Sequence, residues 1–113
     1  MPRRSEPILV DTNVILECHR TGCWRALAGG DRLETVEECV TETQTGYQRR
    51  RPEQQIDLAA LRRSLAQEHA VSDAQRAAAV VRDQHVSVLD PGERDLWAHA
   101  LMRSDGWALC GPD

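Results

Sequence analysis

An α/β fold built around a parallel sheet is what this chain predicts, on three observations. Ile8-Leu9-Val10 is a short apolar run without alternation, the pattern of a strand covered on both faces. Trp107-Ala108-Leu109-Cys110 is a second such run near the other end. Between them strand-like and helix-like segments alternate: strand, helix, strand, several helices, strand. Right-handed crossovers would bring the C-terminal ends of the strands together, and sheets of this kind place their chemistry at that edge.

Local chemistry justifies each element in turn. The first strand is Ile8 to Asp11. A helix begins at Thr12 or Asn13, carries Val14, Ile15 and Leu16, and is broken by Gly22. Cys23, Trp24, Ala26 and Leu27 predict a short helical stretch before Gly29-Gly30. Leu33 to Val36 predicts a second strand, favoured by Thr35 and Val36. Glu37 opens a helix to about Tyr47, weakened by Gly46. Arg49-Arg50-Arg51-Pro52 reads as an exposed connection. Asp57 is placed to N-cap the next helix, with Ile56 stapled onto Leu61 and Leu58, Leu61 and Leu65 on one face. Ser72-Asp73-Ala74-Gln75 fits a capping box, with Ala74, Ala77, Ala78 and Val81 inward. Val86 to Leu89 is apolar without a decisive period. Asp90-Pro91-Gly92-Glu93 opens the last helix, with Asp90 as N-cap, Pro91 at the first position and Glu93 closing the box. That helix carries Asp95, Leu96, Trp97, Ala100 and Leu101. No repeat, low-complexity tract or linker divides the 113 residues, so residues 1–113 are expected to form one domain.

Composition narrows the function classes. Hydrophobic residues make up 41% and charged residues 28%, which fits a soluble globular chain and argues against disorder. The net charge of −4 is mild, so any work on nucleic acid falls to local positive patches. All 14 basic residues are arginine; codon bias accounts for that plainly, although arginine also suits phosphate. No signal segment or membrane-spanning run is visible, so a cytoplasmic location with reduced thiols is expected. Cys18-His19 with Cys23 lacks the spacing of a zinc site, and the four cysteines read as buried free thiols. His19, His69, His85 and His99 show no catalytic spacing, and Trp24, Trp97 and Trp107 read as core or partner-facing residues. A glycine-rich P-loop is absent. A phosphatase with an aspartyl nucleophile wants a second Asp two residues on, where Asn13 stands.

The candidate site residues are acidic. Carboxylates dispersed along a chain and gathered at one sheet edge are what a hard divalent cation needs. Asp11 ends the first strand and Asp113 follows the last apolar run. Each has a plainer role open to it. Asp11 could serve only as a helix N-cap. Glu38 and Glu42 share a helical face. Asp95 alone would be an exposed helix charge, and Asp113 a chain end.

These segments carry a resemblance. Leu9-Val10-Asp11-Thr12-Asn13 resembles the opening motif of PIN-domain proteins, the fold of the VapC-type toxins of bacterial toxin–antitoxin pairs. Val36-Glu37-Glu38-Cys39-Val40-Thr41-Glu42 resembles the segment supplying that family's second acidic residue. Gly92-Glu93-Arg94-Asp95-Leu96-Trp97-Ala98-His99-Ala100 resembles the helix bearing the third, and Leu109-Cys110-Gly111-Pro112-Asp113 the strand ending in the fourth. The family usually continues with another strand and helix, so the resemblance implies a domain short of both. It implies a PIN-like three-layer α/β/α fold with a central parallel sheet. It implies a divalent-metal-dependent ribonuclease using Mg²⁺ or Mn²⁺ held by Asp11, Glu42, Asp95 and Asp113, with Thr12 and Asn13 orienting the site. RNA, an antitoxin protein and a second copy of the chain are the candidate partners. A catalytically inactive PIN-like module that only binds a protein is the alternative.

Overall fold

A computed structural model describes residues 6–110. β1 (Ile8–Val10) and β2 (Leu33–Val36) pair in parallel, with Ile8 opposite Leu33 and Leu9 opposite Glu34. β3 (Gln67–His69) pairs with β2, and β4 (Ala108–Cys110) lies on the other side of β1, with Val10 opposite Cys110. The strand order is β3-β2-β1-β4, all parallel. The chain steps outward from β1 to β3 and then returns past its start. Such a reversal leaves a crevice at the C-terminal edge, beside β1.

The described residues form six α-helices: α1 (Thr12–Arg20), α2 (Trp24–Gly30), α3 (Glu37–Gln44), α4 (Leu58–Ser64), α5 (Asp73–Arg82) and α6 (Pro91–Leu101). Alternate strand residues serve opposite faces. Val10 and Leu33 join a core with Ile15, Leu16, Trp24, Ala28, Ile56 and Leu61, which places α1, α2 and α4 on one face. Leu9 and Val36 pack with Cys39, Leu96 and Ala100, which places α6 on the other. Ala79, Val86 and Ala98 then bury α5 and the following 3₁₀ turn against α6. Burial on both faces is why β1 and β2 are so nearly apolar. Helices on both faces are compatible with a three-layer arrangement.

Several local expectations stand. Gly22 at φ 78° closes α1 in a Schellman turn, with Cys23 N–H donating to Cys18 O (2.9 Å) and Gly22 N–H to His19 O (3.2 Å). Asp57 accepts from Ala60 N–H at 3.1 Å, and Ser72 and Gln75 complete a capping box. Others change. β1 ends at Val10, and Asp11 leaves the sheet to cap α1. α3 ends at Gln44 rather than near Tyr47, because Thr45 is extended and Gly46 turns at φ 70°. The inward face of α5 centres on Ala79, with Ala74, Ala77 and Val81 exposed, since contact with α6 sets the helix's rotation. Gln67-Glu68-His69 gives no apolar signal, yet it forms an edge strand whose side chains stay partly in water. Of the cysteines only Cys39 is buried; Cys18 is half-buried, and Cys23 and Cys110 are exposed. Among the described residues no helix is long and apolar enough to cross a membrane.

Candidate functional site

Asp11 stands where β1 gives way to α1. Its backbone N–H donates to Cys110 O of the neighbouring strand, and its Oδ1 accepts from Thr12 N–H at 2.7 Å. Capping and service at the sheet edge are therefore one placement. Thr12 turns its hydroxyl onto Glu42 Oε1 at 2.8 Å, tying the first turn of α1 to α3. Glu42 Oε2 accepts from Gly92 N–H at 3.1 Å, tying α3 to the start of α6. Gly92 makes this possible: a Cβ there would lie 2.2 Å from Glu42 Oε1 and 3.2 Å from Cys39 Sγ.

That bond accompanies an unexpected feature of α6. An N-cap side chain normally accepts from the second or third helical N–H. Here Glu42 has taken the second, the Gly92 N–H. Asp90 makes no side-chain capping bond. The expected capping box with Glu93 is absent too, and both Asp90 and Glu93 line a cleft instead. The cleft has a volume of about 430 Å³ and is lined by Asp11, Thr12, Asn13, Leu16, Glu42, Thr45, Arg50, Asp90, Pro91 and Glu93.

The carboxylates there feel one another. Burial raises the Asp11 pKa above the usual carboxylate value, against the N–H groups of Thr12 and Asn13, and the charges of Glu42 and Asp90 raise it further. Burial likewise raises Glu93, with Asp11 and Asp90 adding to the effect. Like charges at close quarters disfavour one another's ionisation. All the acidic donors are hard oxygens, and among the described residues neither a thiol nor an imidazole lines the cleft.

The sequence expectation for Asp95 is corrected here. Asp95 is only 2% exposed, yet it lines a different interface. Arg76 of α5 grips it with two bonds, Nε to Oδ1 at 2.8 Å and Nη2 to Oδ2 at 2.9 Å, and Arg94 Nε adds a third contact at 3.3 Å. Two residues span about 200° of helix, so Glu93 and Asp95 face opposite ways and only one can reach the sheet edge. Asp113 lies outside the described residues. Glu42 lines the cleft and half-buried Glu38 does not. Asp90 and Glu93 escaped notice because both fit capping positions; their shared helical face, three residues apart, was the available signal.

A second polar cluster sits between β2, β3 and α6. Glu34, His69 and His99 bring one ligand atom each within 4.8 Å of one another, a set that could hold a metal ion. Arg103 Nη1 already stands among them, 2.8 Å from Glu34 Oε1 and 3.2 Å from His99 Nε2. The two imidazoles stack with centroids 3.8 Å apart, and His69 Nε2 lies 2.7 Å from Glu34 Oε1. The guanidinium supplies the positive charge here, and the cluster reads as a buried ionic staple. A larger hollow of about 480 Å³ lies elsewhere, between α2 and α4, lined by Trp24, Ala28, Ile56 and Leu61 among others. Its only carboxylate among the described residues, Asp57, is occupied in capping α4.

Comparison of the chain with protein-family models, with curated proteins and with solved structures found no match.

Proposed function

We propose that the protein is a divalent-metal-dependent ribonuclease of PIN-like type, with Mg²⁺ or Mn²⁺ held in the acidic cleft. One observation carries the proposal: Asp11, Glu42, Asp90 and Glu93, from three separate stretches of chain, line a single cleft at the C-terminal edge of a parallel sheet. An all-oxygen donor set suits Mg²⁺ or Mn²⁺ and does not suit a thiophilic ion. Bound there, such an ion would neutralise phosphodiester charge and make a water more acidic.

The chain's own residues divide the remaining work. Asp11 and Glu93, whose pKa values burial raises first and neighbouring carboxylates raise further, are the groups that gain most from a cation. Glu42 is oriented by Thr12 and Gly92, so its carboxylate is fixed before any ligand arrives. Asp90 is exposed where it lines the cleft. Asn13 is exposed on the first turn of α1 and can donate to a substrate phosphate. The resemblance extends the proposal to the toxin of a toxin–antitoxin pair.

Purified protein incubated with single-stranded RNA and Mn²⁺ should cleave it, and EDTA should stop cleavage. Asp11→Asn and Glu93→Gln should each slow the reaction at least about tenfold, the lower end for disturbing even the outer shell of a metal site. Asp95→Asn should keep its rate per folded molecule. Cleavage that survives EDTA, or its absence from well-folded protein across varied RNAs with Mn²⁺ present, overturns the proposal.

A further inference from the structure

Arg50 lies in a connection that reads from sequence as solvated, yet it folds back onto the site. Gly46 turns the chain at φ 70°, and Arg50 Nη2 then donates to Glu42 O (2.8 Å) and Thr45 O (2.9 Å) at the end of α3. Its Nε is buried and donates to nothing. The side chain lines the same cleft as the four carboxylates. Arg62, Arg76 and Arg103 each pair with a carboxylate. Arg50 forms no such ion pair among the described residues.

A guanidinium satisfied only by carbonyl oxygens keeps its full positive charge; Arg50 is half-buried, and a charge withdrawn from water normally finds a counter-charge. Capping α3 accounts for Nη2. It leaves Nε without a partner and the guanidinium without an ion pair, in a cleft that four carboxylates also line. We propose that Arg50 is an anion subsite of this cleft, binding a phosphate oxygen of single-stranded RNA while the carboxylates hold the cation. The ligand's identity rests on the ribonuclease reading; the unneutralised charge rests on Arg50's own surroundings. Guanidinium is planar and offers paired donors that match phosphate, so lysine would be an incomplete substitute. Arg49 and Arg51 are exposed on either side and extend the positive strip.

The test is fluorescence anisotropy of a labelled single-stranded RNA decamer with Mn²⁺, read before turnover, across a salt series. Arg50→Gln should weaken binding about tenfold and reduce the slope of log K against log salt by about one. The stabilisation by Mn²⁺ alone should persist. A folded Arg50→Gln protein that binds RNA as wild type does, or binds weakly with an unchanged salt slope, overturns the subsite and leaves Arg50 as a cap. Wild-type protein that binds no RNA overturns it also. If Arg50→Gln does not fold, Arg50→Lys decides: affinity should fall several-fold with the slope retained, and unchanged affinity contradicts the proposal. A wild type with no response to Mn²⁺ but an Arg50-dependent salt slope would sink the metal reading and leave the subsite standing.

Discussion

Gly92 and Asp95 show how much of this site turns on single atoms. Gly92→Ala would place a methyl group where the Glu42 carboxylate now lies. The carboxylate is the movable partner, so the fold should survive with a loss of about 1–3 kcal/mol. Glu42 would leave its bonds to Thr12 and Gly92, and thermal melts should show a reduced response to Mn²⁺. Asp95→Asn should behave oppositely. It breaks a charge-assisted pair with Arg76, which is partly exposed, and should cost about 1.5–3 kcal/mol while preserving the Mn²⁺ response. Asp11 was legible in sequence because an uninterrupted apolar run ends on it. The choice between Glu93 and Asp95 was not. Both are acidic residues early in one helix, and the distinction depends on Arg76, 19 residues earlier in the chain. Glu93 also fitted a capping role, and Glu42, from another helix, takes the Gly92 N–H that the Asp90 side chain would otherwise cap.

Among the elements, α6 carries the heaviest burden. Its N-terminus meets the cleft, its middle meets α5 through Asp95, and its last turn meets β2 and β3 through His99. Burial, then the charges of His69 and Arg103, pushes the His99 pKa down to about 4, against the smaller pull of Glu34 and Asp105. The folded state therefore resists a proton that the unfolded chain accepts near pH 6.5. Its contribution is complete above about pH 6.5 and is lost as pH falls toward 4. Urea melts across that window should lose at most about 1.4 kcal/mol per pH unit from this group, and His99→Gln should flatten the slope. Burial opposes the Glu34 charge, but Arg103 and His69 outweigh it and hold its pKa below normal, so Glu34 is lost to acid later. The helices and central strands of the fold were legible because caps and apolar faces are local. β3 was not, since a polar edge strand is defined by its pairing with β2 rather than by its own composition.

For the whole molecule, the order β3-β2-β1-β4 decides where chemistry is available. Reversal beside β1 leaves the end of that strand uncovered, and α1, α3 and α6 deliver their acidic residues to it. Because burial and neighbouring charge raise Asp11 and Glu93, both take up protons sooner than ordinary carboxylates as pH falls. Stabilisation by Mn²⁺ should accordingly shrink on mild acidification, as the ion competes with protons for the same oxygens. The most direct measurement is calorimetric titration of Mn²⁺ into wild type, Asp11→Asn, Glu93→Gln and Asp95→Asn, each confirmed folded. Binding by wild type and Asp95→Asn, with loss in Asp11→Asn and Glu93→Gln, is the expected result. No binding by wild type, or binding that depends on Asp95 and ignores Glu93, would contradict the cleft as the metal site.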